Sequence, residues 1–211
     1  MMKSKIPIFP LNLVMFPEAK YPLHIFEERY KRMIKWCVEN DEEFGIVSKI
    51  DFEMANIGCR VKVVRTLQTY ENGSMDILVH GSERFKVLST SMNADGYLEA
   101  DVIPFDDAIS PFMDESAFQK VLDKFNFLLD KTEINLDRSF WNKLKLTDLK
   151  SFKLAEKSGL NLKQQQNILN YQSEYERINY LLEHYEKVEK YLDTNEALRD
   201  IIAGDGYVNE F

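Results

Sequence analysis

The sequence has 211 residues, enough for one large domain or two small ones. Hydrophobic residues make up 45% and charged residues 29%, the balance of a globular chain that can bury its own core. The formal net charge of -8 disfavours nucleic acid or an anionic membrane as partner, because an acidic chain repels phosphate unless it segregates a basic face.

The amino terminus has the start of a signal-peptide pattern but does not complete it. Lys3 and Lys5 precede an apolar stretch, which Pro7, Pro10 and Asn12 then interrupt. No apolar run approaches the ~18 residues that a membrane-spanning helix needs. We therefore expect a cytoplasmic protein with no membrane partner.

Short strands and one helix are predicted first. Ile6–Leu11 and Leu23–Phe26 are typical of strands around a proline-rich loop. The next segment places apolar residues at helical spacing, with Glu27 and Glu28 in the first turn, where carboxylates complement the helix dipole. The predicted apolar face of this helix consists of Phe26, Tyr30, Met33, Ile34 and Cys37.

A β-hairpin is the strongest local prediction. The two runs 57–70 and 75–79 flank Asn72-Gly73, a pair that favours a tight turn in which both residues adopt positive φ. A further strand is predicted at 44–49. Gly81-Ser82 is expected to break the return strand, and two more strands follow at 84–90 and 97–105.

The chain changes character near Ser110-Pro111, after which helical patterns dominate. This change predicts a β domain over residues 1–109 and a helical bundle over 110–211. An apolar stripe predicts a helix over Glu115–Asp130. Thr147 is positioned to cap a helix that ends at Gly159, and Asn161 to cap another that ends near Asn170.

The last helix has apolar residues at alternating spacings of three and four. They are Ile178, Leu181, Tyr185, Val188 and Leu192. This seam has the spacing of a coiled coil. It favours packing onto the chain's own bundle, and self-association through this helix is the alternative.

Chemistry-bearing motifs are absent from the sequence. No glycine-rich turn precedes a helix in the way a phosphate site requires. Among the three histidines, only His80 lies near a serine, Ser82, and a strand end explains that pair better than catalysis. Cys37 and Cys59 form neither a CxxC pair nor a zinc spacing. We expect no catalytic residue, no cofactor, no metal and two reduced, buried cysteines.

One segment suggests a nucleic-acid site. Leu154–Leu169 is similar to a helix-turn-helix, with Ala155 and Gly159 at the familiar spacing. The stretch from Lys143 to Lys163 is basic. However, Gln165 stands where the second helix should be apolar, and two short helices of a bundle would give the same pattern.

A longer pattern covers the first thirty-odd residues. It comprises a Pro-Leu strand, the corner Phe16-Pro17, then Pro22-Leu23, then Ile25-Phe26-Glu27-x-Arg29-Tyr30. Collinear features follow at Gly58, Asn72-Gly73, Gly81–Phe85, Leu162–Leu169 and Glu176–Leu181. This pattern is similar to the Lon N-terminal (LON) domain, and its Phe-Glu-x-Arg-Tyr form resembles the short, stand-alone relatives of Lon.

The resemblance implies an α+β fold. The expected fold is a PUA-like, mostly antiparallel β pseudo-barrel with an inserted helix, followed by a C-terminal α-helical bundle with one long terminal helix. Full Lon proteases continue into an ATPase module and a Ser-Lys peptidase domain, whereas this sequence stops at Phe211. We therefore expect a chain that is not an enzyme.

The resemblance also implies a polypeptide-recognition module. Its expected partners are unfolded protein segments, a protease or an adaptor, bound through an apolar groove or an exposed sheet edge. Phe16 and Tyr21 in the proline-rich loop are the candidate contacts, with loop packing as the alternative. The rival hypothesis is nucleic-acid binding through the PUA-like fold or the segment 148–170.

Overall fold

A computed structural model of the chain describes residues 3–108 and 115–191, and its fold is of the α+β class. The chain divides into two compact units, Met1–Asp106 and Asp107–Phe211. The division falls three residues before the boundary predicted from the change in pattern.

The first unit is a β barrel with one helix. Its strands are β1 (Ser4–Leu11), β2 (Lys20–Ile25), β3 (Phe44–Ile50), β4 (Glu53–Met54), β5 (Ile57–Thr69), β6 (Met75–Met92) and β7 (Leu98–Pro104), and its helix is α1 (Glu28–Glu39). Strand β1 pairs with β7, β7 with β6, β6 with β5 and β5 with β3, all antiparallel. Strand β3 then pairs with β1 in parallel, which closes the barrel.

One aromatic ring fills the barrel interior. Phe85 is fully buried among Ile6, Ile8, Val47 and other aliphatic side chains. Two glycines make room for this ring. A Cβ atom at Gly45 would lie 2.5 Å from Phe85 Cζ, and one at Gly58 would lie 2.7 Å from the same atom.

The predicted strands are confirmed, with two corrections. Strand β6 runs unbroken through Gly81, because that residue stays in the β5–β6 ladder, paired with Val61. At the hairpin tip Gly73 alone has positive φ, since Asn72 instead accepts hydrogen bonds from the Ser74 backbone and hydroxyl. The loop is therefore a three-residue turn closed by glycine. The two-residue strand β4 was not predicted.

Helix α1 begins two residues after the start of its predicted apolar face. Tyr30, Met33, Ile34 and Cys37 are buried as predicted. Phe26 was wrongly assigned to this face: it precedes the helix and is 62% exposed. The helix starts at Glu28 because Glu27 has an extended backbone, which turns the preceding residue out of the helical register.

A buried loop crosses β6 between β1 and β2. Gly81 donates a backbone hydrogen bond to Ala19 and accepts one from Glu18, both at 2.9 Å. A Cβ atom at Gly81 would lie 2.2 Å from the carbonyl oxygen of Phe16. The glycine therefore allows the loop to lie directly against the strand.

The described part of the second unit is helical. Its helices are α2 (Glu115–Thr132), α3 (Arg138–Leu146), α4 (Lys150–Ala155), α5 (Leu162–Asn170) and α6 (Glu174–Tyr191). Asn161 caps α5 with the predicted geometry, through a reciprocal bond with Gln164. The helix predicted to end at Gly159 was extended too far, because α4 ends at Ala155 and Gly159 adopts positive φ.

The seam of α6 faces its own unit. Ile178, Leu181 and Tyr185 are fully buried, and α6 packs against α2 and α4. The prediction of intramolecular packing is confirmed for these residues. Leu192 of the predicted seam lies outside the described residues.

A buried guanidinium holds one end of this bundle together. Arg177 has no exposed side-chain surface, and it forms ion pairs with Asp107 and Glu174. It also donates to Ser151 Oγ at 2.8 Å and to the carbonyl of Tyr171 at 3.0 Å. These acceptors offset the cost of removing the charge from water.

We predict that Gly81→Ala destabilises the first unit by about 1–3 kcal/mol, since the added methyl group must displace the loop at Phe16. Urea unfolding followed by Trp36 fluorescence in a Trp141→Phe background measures this effect. Ser91→Ala, at an exposed site of the same strand, serves as control. An unchanged midpoint in Gly81→Ala would contradict the packing described.

Candidate functional site

An open groove lies between α1 and the β5–β6 hairpin. Its volume is about 360 Å³, within the range of small ligand sites. Helix α1 contributes Lys31, Arg32, Ile34, Lys35, Val38 and Glu39, and the hairpin contributes Thr66, Thr69, Gly73 and Met75. We call this surface the α1–hairpin groove.

The groove combines an apolar floor with a charged margin. Ile34 is fully buried, whereas Val38 keeps about half of its surface exposed and offers an apolar contact to a ligand. Lys31 spans the groove, because its Nζ donates to Glu28 Oε1 and to the Asn72 carbonyl at the hairpin tip, both at 2.8 Å. These hydrogen bonds link the helix to the hairpin.

The part of β5 that β3 does not reach runs beside the groove. Strand β3 pairs with β5 only up to Val61, so within the described residues Lys62–Thr69 pairs with β6 alone. Register shifts between Val63 and Arg65 and between Thr66 and Gln68 interrupt the ladder. Because bulges disturb the regular spacing of backbone donors and acceptors, they limit strand addition to short segments. The groove is therefore the stronger candidate.

The two residues predicted as contacts lie elsewhere. Phe16 is fully buried in the loop across β6, so a ligand cannot reach its ring in this structure. This burial favours the loop-packing alternative for Phe16. Tyr21 is half-buried on β2, paired with Val79, and its contact role stays a prediction.

Sequence reasoning did not identify the groove residues. The useful signal was the continuation of apolar residues from Ile34 to Val38, one turn further along α1. Val38 extends the stripe beyond what the core buries. The partner side of the groove comes from a hairpin about thirty residues later, which local patterns cannot assign.

The basic helix-turn-helix-like segment uses several of its lysines inside the bundle. Lys153 is buried and pairs with the buried Glu156 at 2.6 Å. Lys150 donates to carbonyl oxygens at the end of α3, and Lys157 is buried as well. Gln165 is partly buried and donates to the Leu160 carbonyl at 2.9 Å. These lysines therefore stabilise the bundle.

The other candidate nucleophiles are Ser82, Cys37 and Cys59, and each lies in an environment that serves the fold. Ser82 donates its hydroxyl hydrogen bond to Glu43 Oε1 at 2.7 Å. Cys37 and Cys59 are buried free thiols as predicted, and burial raises the pKa of Cys37 to about 12 and raises the pKa of Cys59 further. Such thiols are poor nucleophiles at neutral pH.

The described ranges hold no candidate metal cluster and no helix fit to span a membrane. Residues 3–108 and 115–191 contain no group of three or more His, Cys, Asp or Glu side chains that could hold a metal ion. In the same ranges no helix has both the length and the apolar character needed to cross a membrane.

A histidine lies inside the second unit. His184 Nε2 bonds the carbonyl oxygen of Ser158 at 2.8 Å, and the Ser158 hydroxyl bonds Tyr185 Oη at 2.7 Å. Burial lowers the pKa of His184. Burial raises the pKa of nearby Glu156, although the Lys153 ammonium opposes that change.

A family model describes most of the chain. The ATP-dependent protease La (LON) substrate-binding domain matches residues 5–187. Lon protease 2 of Syntrophobacter fumaroxidans is 27% identical over 154 residues, which are 64% of this chain and 19% of that protein. Lon protease of Cytophaga hutchinsonii is 23% identical over 199 residues, which are 87% of this chain and 24% of that protein. The chain thus spans about a quarter or less of these relatives.

A solved structure shows the same fold. The Lon N-terminal domain protein from Xanthomonas campestris superposes with a TM-score of 0.66 and 23% sequence identity. The match covers 85% of this chain and 98% of that one. The α+β fold expected from the sequence resemblance is therefore confirmed.

We predict that the second unit loses stability as the pH falls below about 6.5, the ordinary pKa of histidine. Burial depresses the folded pKa of His184, so the unfolded chain binds the proton first and is favoured as the pH falls towards the folded pKa. His184→Gln should remove the part of this pH dependence that the histidine contributes. Thermal unfolding between pH 7.5 and 5 measures the difference between the wild-type chain and His184→Gln. Equal slopes in the two proteins would contradict it.

Proposed function

Because the chain belongs to the family of Lon substrate-binding domains, we propose that it is a non-catalytic module that binds unfolded polypeptide segments. The family match carries this proposal, and the α1–hairpin groove supports it with a surface of suitable size. The predicted cytoplasmic location and an associated protease or adaptor belong to the same proposal.

The groove has the features that peptide recognition needs. An apolar floor rewards the burial of a hydrophobic side chain, and threonine side chains from β5 supply polar groups beside it. The backbone of β5 beyond Val61 adds donors and acceptors over short stretches between its bulges. A bound segment would therefore place one or two apolar residues in the groove and form a few main-chain hydrogen bonds.

The non-catalytic part of the proposal has separate support. The matched family is a substrate-binding domain, and the match includes neither the protease nor the ATPase domain of Lon. The described thiols are buried with raised pKa values, and the one hydroxyl near a histidine in sequence bonds a carboxylate. We expect no peptide cleavage by the purified chain, with or without ATP. Turnover that survives a second purification step would overturn this part.

We predict that Val38→Asp weakens binding of a permanently unfolded, fluorescently labelled model polypeptide about tenfold or more. The substitution places a carboxylate on the apolar side of the groove, where a bound apolar side chain would have to desolvate it. Fluorescence anisotropy measures the dissociation constant, which we expect below ~100 μM for the unmodified chain.

The matched control for this experiment is Leu88→Asp. Leu88 is 50% exposed and Val38 is 52% exposed, both belong to the first unit, and Leu88 does not line the groove. The control should bind like the unmodified chain. An equal loss of affinity in Val38→Asp and Leu88→Asp would show that the groove is not the binding surface. If the unmodified chain does not bind the polypeptide up to ~100 μM, direct polypeptide binding is refuted.

A further inference from the structure

A cluster of exposed aromatic side chains lies where β2, β5 and β6 meet. His24 and Phe26 stack with ring centroids 5.8 Å apart, and Tyr70 meets His24 edge-on at the same distance. The carboxylate of Asp76 lies beside them. We call His24, Phe26, Tyr70 and Asp76 the aromatic corner.

Hydrogen bonds to one carboxylate hold the corner in place. His24 Nδ1 lies 2.6 Å from Asp76 Oδ1, and Tyr70 Oη donates to Asp76 Oδ2 at 2.6 Å. The strand register places His24 directly opposite Asp76 on β2 and β6. The hydrogen bonds from Tyr70 and His24 lower the pKa of Asp76, which keeps this carboxylate negatively charged.

The fold does not bury this cluster. Phe26 is 62% exposed, and Tyr70 and the side chain of His24 are about half exposed. None of the four residues lines the α1–hairpin groove. Three fixed rings and an ionised carboxylate thus face solvent together.

We propose that the aromatic corner binds a cationic side chain, arginine or lysine, of a bound polypeptide. This proposal rests on the proposed function, since it adds a second contact on the hairpin that also forms the groove. The faces of aromatic rings carry negative potential that attracts cations, and Asp76 adds a full negative charge. The same charges disfavour an acidic ligand.

The corner and the groove share one hairpin. Met75 lines the groove, while the next residue of β6, Asp76, belongs to the corner, so the two surfaces lie on opposite faces of the hairpin. A polypeptide that passes around the hairpin and carries an apolar and a basic residue can contact both surfaces. The corner would then select for segments that combine the two residue types.

The first test is an NMR titration of the full chain with N-acetyl-arginine amide, followed by 1H–15N spectra. The comparison ligand is N-acetyl-citrulline amide, which has nearly the same shape and no charge. We expect shifts centred on residues 24, 26, 70 and 76, with millimolar affinity and at least about threefold weaker binding of citrulline. Equal binding of both ligands, or shifts centred elsewhere, would overturn the proposal.

Two variants test the charge and the ring separately. Asp76→Asn removes the charge at nearly constant size, and Phe26→Ala removes an exposed ring that makes no hydrogen bond in the corner. Each should weaken arginine amide binding about three- to fivefold. Phe52→Ala, at a 93% exposed site outside the corner, is the control and should bind normally. Unchanged binding by both corner variants refutes the role of the corner.

The unfolded model polypeptide separates this proposal from the proposed function. We expect Asp76→Asn to weaken binding of the unfolded model polypeptide. The same substitution should have no effect on a polypeptide in which every arginine is replaced by citrulline and every lysine is acetylated. If Val38→Asp weakens binding and Asp76→Asn does not, the corner proposal fails while the function stands. If the polypeptide does not bind but arginine amide still shifts the corner, the function fails and the cation site stands.

Discussion

The barrel depends on the packing of Phe85 against two residues that have no side chain. The ring occupies the space that a Cβ atom at Gly45 or Gly58 would fill, so β3 and β5 can approach it closely. This approach lets β3 pair with β1 in parallel and close the barrel. Burial of one phenylalanine is worth about 1.5–3 kcal/mol, but its larger effect here is geometric, because it determines how tightly the strands can curve.

Barrel closure leaves part of β5 without β3 beside it. Strand β3 stops pairing with β5 at Val61, and the rest of β5 continues beside β6, whose other edge pairs with β2. Helix α1 packs on one side of this part of the sheet, and Lys31 bonds the hairpin tip. The groove and the aromatic corner both result from this arrangement. The positions of both proposed recognition surfaces therefore follow from the point at which β3 stops pairing with β5.

In the second unit, buried charged residues pair with other residues of the same unit. Arg177 is fully buried, and two carboxylates, a hydroxyl and a carbonyl surround it. Lys153 is buried against Glu156. Within the stretch that is basic in sequence, Lys153 and Lys157 are thus buried while Lys145 and Lys163 stay exposed, and this burial weakens the nucleic-acid hypothesis. Counting charges along a segment could not reveal this, because burial depends on packing partners distant in sequence.

The sequence by itself determined most of the strands and the long helices, and its family resemblance implied the fold class. Alternation with period two identified the strands, and spacings of three and four identified α1 and α6, because both patterns follow from local backbone geometry. Only the tertiary structure decided which aromatic residues face solvent. Phe16 is buried because Gly81, 65 positions later, lets its loop lie against β6, and Phe26 is exposed beside Asp76. Such contacts join residues far apart in the chain, and local periodicity carries no information about them.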